Sequence, residues 1–100
     1  MSHEALHERS EALSAGVKNF HRAIISLIEE LEAIDWYNQR GEVCEDEALR
    51  KILIHNRDEE KEHAAMLLEW MRRHDDRFSA ELKEYLFTEK DIAEHELGKE

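Results

Sequence analysis

Leu49-Arg50-Lys51-Ile52-Leu53-Ile54-His55-Asn56-Arg57-Asp58-Glu59-Glu60-Lys61-Glu62-His63-Ala64-Ala65-Met66-Leu67-Leu68-Glu69-Trp70 is the stretch on which the reading of this chain turns. Leu49, Leu53, Asn56, Glu60, His63, Leu67 and Trp70 recur at alternating steps of four and three, the period of one helical face in a bundle or coiled coil. Asp46 can cap the start of this helix, which is expected to run from about residue 46 to 74. Its seam has an anomaly: three of the seven positions, Asn56, Glu60 and His63, are polar. A carboxylate withdrawn from water is costly unless it is paired or bound to a metal.

Upstream, Leu13, Val17, Phe20, Ile24, Leu27, Leu31 and Ile34 repeat the alternation and predict a first helix over about residues 7–39. Gly16 inside it costs about 1 kcal/mol relative to alanine, which packing against a partner helix offsets. Arg40-Gly41 reads as its stop, a basic last-turn residue followed by glycine. The connection over residues 42–45 is so short that the two helices must form an antiparallel hairpin. Beyond Asp75-Asp76, the spacing of Phe78, Leu82, Tyr85 and Leu86 predicts a short third helix over about 78–87. Thr88 with Asp91 reads as a weak capping box, and the charged tail 89–100 is expected to fray. The expected fold is all-α: one domain over residues 1–100, a two-helix hairpin with a short C-terminal helix.

A domain of 100 residues with two or three helices buries only a modest core, so self-association is expected. Proline is absent and glycine occurs three times, which favours long helices. The net charge of −11, from 25 acidic and 14 basic residues, repels phosphate backbones and gathers cations, which argues against nucleic acid as a partner. Cys44 is the only cysteine, so no intrachain disulfide is possible. No stretch approaches the roughly 18 apolar residues of a membrane span. Met1-Ser2-His3-Glu4 also lacks the basic and apolar regions of a signal peptide. The expectation is a reducing cytosol or a protein-bounded compartment, away from membranes.

Glu60-Lys61-Glu62-His63 contains Glu-x-x-His. At i and i+3 the two side chains project from one face about 5–6 Å apart, close enough to chelate one ion or bridge two. Carboxylate oxygen with neutral imidazole suits Fe, Mn or Zn better than Ca or Mg. On the first helix, Glu30 stands three residues after Leu27 and four before Ile34, so it points inward; Glu29 and Glu32 flank the stripe as an edge pair. Di-iron carboxylate bundles take a lone Glu from each of two helices and a Glu-x-x-His from each of two others. This chain holds one of each. Two copies about a two-fold axis would complete the metal site and the core of a four-helix bundle together.

Glu-x-x-His alone is a weak signal, and Glu4-x-x-His7 is read as a chance instance. What distinguishes Glu60 and His63 is their place in an apolar seam opposite Glu30. For Glu29 and Glu32, an exposed acidic face and a weak cation-collecting site stand level, and hard cations such as Ca²⁺ would occupy the latter readily. Tyr37, two turns beyond Glu30 on the same face, is placed to hydrogen-bond a metal ligand or donate an electron. Trp36 reads as a core or interface aromatic, His55 as surface, and Met66, Leu67 and Met71 as core filling. No partner is assigned to His21, His74 or His95.

Glu29-Glu30-Leu31-Glu32-Ala33-Ile34-Asp35-Trp36-Tyr37 and residues 55–66, His55-Asn56-Arg57-Asp58-Glu59-Glu60-Lys61-Glu62-His63-Ala64-Ala65-Met66, resemble the encapsulated ferritins, ferritin-like proteins carried inside encapsulin nanocompartments. The likeness continues through Leu68-Glu69-Trp70, Arg72-Arg73 and Tyr85-Leu86-Phe87-Thr88-Glu89. The resemblance implies a two-helix protomer that pairs into a ferritin-like homodimer with the ferroxidase centre at its interface. Dimers would assemble further into a ring, typically a decamer, that oxidises iron without storing it. The mineral would collect in the encapsulin shell, within the cytoplasm. By motif, Glu30, Glu60 and His63 match the family's iron ligands, Glu29 and Glu32 its acidic entrance site, and Trp36 and Tyr37 the aromatic pair beside the centre. One departure bears on the shell partnership: members usually carry a short C-terminal targeting peptide, and Leu97-Gly98-Lys99-Glu100 does not resemble one.

The expected activity is therefore oxidation of Fe(II) by O₂ or peroxide at a di-iron centre shared between two chains. Two rival readings fit the same residues. One is a non-catalytic dimerising hairpin in which Glu60 and His63 only hydrogen-bond across the seam. The other is a di-metal protein with a different task, such as peroxide reduction of the rubrerythrin kind.

Overall fold

The computed structural model describes residues 5–97, and among them every regular element is helical. A 3₁₀ turn at Ser10–Ala12 precedes α1 (Ala15–Val43), α2 (Glu47–Arg73), α3 (Asp76–Tyr85) and α4 (Ile92–Leu97). Glu4 of the Glu4-x-x-His7 pair and the terminal Gly98-Lys99-Glu100 lie outside the described residues.

α1 starts later than the apolar period suggests. The Val17 N–H donates to Ser14 Oγ at 3.1 Å, a side-chain cap that leaves Leu13 in extended backbone before the helix. It also ends later. Arg40-Gly41 does not stop it: the helix runs to Val43, and the Cys44 N–H donates to the Arg40 carbonyl at 3.1 Å. Gly41 keeps a negative φ and is buried, and a Cβ there would lie 3.3 Å from Ile54 Cγ1. The glycine serves a close approach of α1 and α2 rather than a turn.

Aspartates cap the remaining helices. Asp46 Oδ1 accepts from the Leu49 N–H, Asp75 Oδ1 from the Phe78 N–H and Asp91 Oδ1 from the Glu94 N–H, each at 2.9 Å. Thr88 therefore does not share a capping box with Asp91; its Oγ1 accepts from the Lys90 N–H at 3.2 Å. Phe87 follows α3 at φ 61°, a left-handed position that costs roughly 1–2 kcal/mol for a residue with a Cβ. The tail expected to fray is helical over Ile92–Leu97, and the His95 ring meets Tyr85 edge-on with centroids 5.1 Å apart.

α1 and α2 pack as an antiparallel pair, with Phe20 against Trp70 at 6.1 Å between ring centroids. α3 is tied to α2 through Arg72, whose Nε and Nη2 each donate to the Glu69 carboxylate at 2.7 Å while Nη1 donates to the buried Ser79 Oγ at 3.0 Å. The buried apolar side chains among the described residues are Ala23, Ala64 and Met71. Phe20, Leu27 and Ile34 are half-buried, whereas Val17, Ile24 and Leu31, on the row spaced by seven, are exposed by 53%, 37% and 52%. Met66 and Trp36 are exposed too, so neither fills a core in the single chain. The physical reason is that two packed helices bury only the faces they turn to each other, so a hairpin cannot enclose an apolar stripe wider than that contact.

Candidate metal centre

Midway along the hairpin, α1 presents Glu30 and α2 presents Glu60 and His63. Because 3.6 residues make a turn, Glu60 and His63 lie one above the other on the face of α2 that meets α1. His63 Nδ1 stands 3.4 Å from Glu60 Oε2 and 3.6 Å from Glu30 Oε2. One ligand atom from each residue falls within a 4.8 Å span, and among the described residues this is the sole such group of three or more acidic, histidine or cysteine side chains. The two glutamate side chains are 24% exposed and His63 is 43% exposed.

Glu30 Oε2 is buried and accepts no hydrogen bond from any described residue. A buried carboxylate oxygen without a donor is unfavourable, and a cation removes the penalty. The donor chemistry fits a transition metal. An ion bonded at about 2.0–2.2 Å needs neighbouring ligand atoms about 3.0–3.6 Å apart, a spacing that the two measured separations meet or approach. One carboxylate oxygen from each helix and one imidazole nitrogen make a mixed O/N set suited to Fe, Mn or Zn.

The other candidates lie apart from this cluster. Glu29 is exposed and Glu32 half-buried on the neighbouring side of α1, and neither joins the group of three. Tyr37 is half-buried with the Arg40 guanidinium 5.6 Å from its ring centre. Trp36, its neighbour, is half exposed. His55 lies at the surface, paired with Glu59. His74 stacks on Trp70 at 3.9 Å and its Nδ1 approaches the Trp70 carbonyl at 2.7 Å, a partnership that their spacing of four would have signalled. Asn38 and Arg57 escaped the sequence reading. Arg57 Nη1 donates across the hairpin to Asn38 Oδ1 at 3.0 Å, and nothing in the spacing of an arginine and an asparagine on separate helices announces such a bond.

The comparisons with known proteins converge on one group. The chain is 56% identical over 88 residues to the encapsulated ferritin-like protein of Rhodospirillum rubrum, covering 88% of this chain and 63% of that protein, so it spans less than two thirds of that relative's length. It is 53% identical over 90 residues to the ferritin-like protein of Thermotoga maritima, covering 90% of this chain and 79% of the relative. The crystal structure of protein ne0167 from Nitrosomonas europaea superimposes with a TM-score of 0.86 at 62% identity, covering 89% of this chain and 98% of that one. The EncFtn-like family matches residues 5–89, a span that contains both helices of the hairpin and all three clustered residues, and the chain belongs to that family.

Proposed function

We propose that this protein is a ferroxidase: Glu30, Glu60 and His63 form half of a di-iron centre that a second copy completes, and Fe(II) is its substrate. The observation that carries this reading is the buried, unpartnered Glu30 Oε2 held 3.6 Å from His63 Nδ1 in the seam of the hairpin. A seam built for stability alone would bury apolar groups or satisfy its polar ones. The exposed row Val17, Ile24 and Leu31 supports the second half of the proposal, since two such faces cover each other in a four-helix bundle.

In this reading two Fe(II) ions bind between the paired ligand sets, and each gives up one electron. O₂ takes the two electrons with two protons and leaves as hydrogen peroxide; peroxide as oxidant takes the same two electrons and two protons and leaves as two waters. The carboxylates bind in their ionised form and His63 as neutral imidazole, so iron binding weakens as the solution becomes acid. Tyr37, two turns along α1 from Glu30, is the residue this reading assigns to supply an electron or hydrogen-bond a ligand, with Trp36 as its neighbour. The net acidic surface draws cations towards the centre, with Glu29 and Glu32 at its edge as an entrance site that also takes Ca²⁺. The name of the Rhodospirillum rubrum relative supports carriage within an encapsulin compartment of the cytoplasm, where the Fe(III) product would mineralise. A ring of dimers, typically a decamer, is the assembly the resemblance favours.

The test is aerobic Fe(II) addition to metal-free protein, following Fe(III) absorbance and iron bound per chain. Fast oxidation saturating near one iron per chain, and lost in Glu60→Ala and His63→Ala, is the expected result. Variants that oxidise iron as the parent does would make the seam residues structural and end the proposal.

A further inference from the structure

The candidate ligands belong to two helices, so their convergence depends on how far α1 slides along α2. Helix pairs packed through apolar ridges have alternative registers related by a turn, 5.4 Å apart. Packing constrains this pair weakly, because among the described residues no large side chain is fully buried. The contact of Gly41 with Ile54 sets how closely the helices approach but does not by itself resist sliding. Directional polar bonds across the hairpin do resist it.

Two such bonds come from arginines on α2 spaced by seven and therefore on one face. Arg50 Nε donates to the Gly41 carbonyl at 3.2 Å, and Arg57 Nη1 donates to Asn38 Oδ1 at 3.0 Å. Arg57 is further fixed on its other edge, where Nε donates to Asp58 Oδ1 at 3.0 Å; Asp58 is itself 3.3 Å from Lys61 Nζ. The Arg57 side chain is 25% exposed and its guanidinium is held from both sides. Arg57 lies one turn before Glu60, and Asn38 lies two turns after Glu30. The bond between them is thus a directional link across the same hairpin, about 12 Å along α1 from Glu30 and about 9 Å along α2 from His63.

We propose that Asn38 and Arg57 are positioning residues for the centre: their hydrogen bond sets the register of α1 against α2 that holds Glu30 opposite His63. The inference rests on the metal-binding reading of that cluster.

The experiment is Co(II) titration of the metal-free full chain, read by the visible absorption of the bound ion, with thermal unfolding of each metal-free variant in parallel. Asn38→Leu removes the acceptor without changing charge, Arg57→Lys keeps the charge without the fork, and Asn38→Asp keeps the acceptor oxygen. Asn38→Leu and Arg57→Lys are each expected to weaken Co(II) binding about tenfold and to alter the absorption band. The double variant should bind no more weakly than either single one, because both remove the same bond, and Asn38→Asp should bind at least as tightly as the parent. Parent-like affinity and spectrum in Asn38→Leu, losses that add in the double variant, or a loss in Asn38→Asp equal to that in Asn38→Leu would each overturn the proposal. Glu60→Ala separates the two readings: if it abolishes Co(II) binding while Asn38→Leu does not, only the positioning role fails. A parent chain that binds no Co(II) overturns both.

Discussion

Two carboxylates, Glu69 at the α2–α3 corner and Glu30 in the middle of the hairpin, illustrate opposite solutions to the same problem. Glu69 receives three hydrogen bonds of 2.7 Å, two from Arg72 and one from Arg73, and these guanidiniums lower its pKa to about 2. Its partners come from its own helix, three and four residues away, and through Arg72 it fastens α3 by way of Ser79. Glu30 is less exposed than Glu69, yet its buried oxygen has no donor, and its neighbours are another carboxylate and a histidine. The first site is complete within one chain and its work is structural. The second leaves a carboxylate oxygen without a donor, which is the feature on which the proposed metal site rests.

The largest effect that would break this contrast is on metal-dependent stability. A transition metal at a hundredfold above its dissociation constant should stabilise the parent by about 2.7 kcal/mol, and Glu30→Gln, Glu60→Ala or His63→Ala should remove that gain. Differential scanning calorimetry with and without Co(II) measures it, and a gain that persists in all three variants would place the ion elsewhere. Without metal the order reverses. Glu30→Gln should raise stability by about 1 kcal/mol, since an amide can donate to Glu60 where a carboxylate only accepts; chemical denaturation of metal-free protein reads this, and destabilisation would contradict it.

At the corner the dependence is on pH. The Glu69 pKa is depressed in the folded chain, so its contribution is present above about pH 4.5, its ordinary value, and is lost as the pH falls through about 2. Glu69→Gln should be less stable than the parent at neutral pH, with the gap closing between those limits. Helical circular dichroism across acid titrations would show it, and a gap independent of pH would mean that the arginines do not act through the charge. The smallest effect belongs to the exposed pair His55 and Glu59, where alanine at either position should change metal affinity little and stability by no more than about 0.5 kcal/mol. A tenfold loss of Co(II) binding there would extend the site to the outer face of α2.

Much of this was legible from the sequence. The alternation of four and three located both long helices and put Glu30, Glu60 and His63 on inward faces, because helical periodicity is local and side-chain direction follows from it. Asp46 announced its own cap. The helix ends were harder to read: Ser14 starts α1 about two turns after the expected start near residue 7, and Gly41, a stop by its residue type, is instead a contact with Ile54. The seam was also drawn too simply. One stripe on paper divides into a row facing α2 and a row left exposed among the described residues, since a stripe wider than a single neighbour cannot be buried by it.

The sequence by itself determined the helical class, the hairpin and the identity of the three clustered residues, all consequences of short-range spacing and of a four-residue link. Only the tertiary structure decided that Glu30 stands across from His63, that its oxygen lacks a donor, and that Asn38 and Arg57 meet across the hairpin. Those facts depend on the register between two helices. Register is the sum of many contacts between residues far apart in the chain, and no local pattern encodes it.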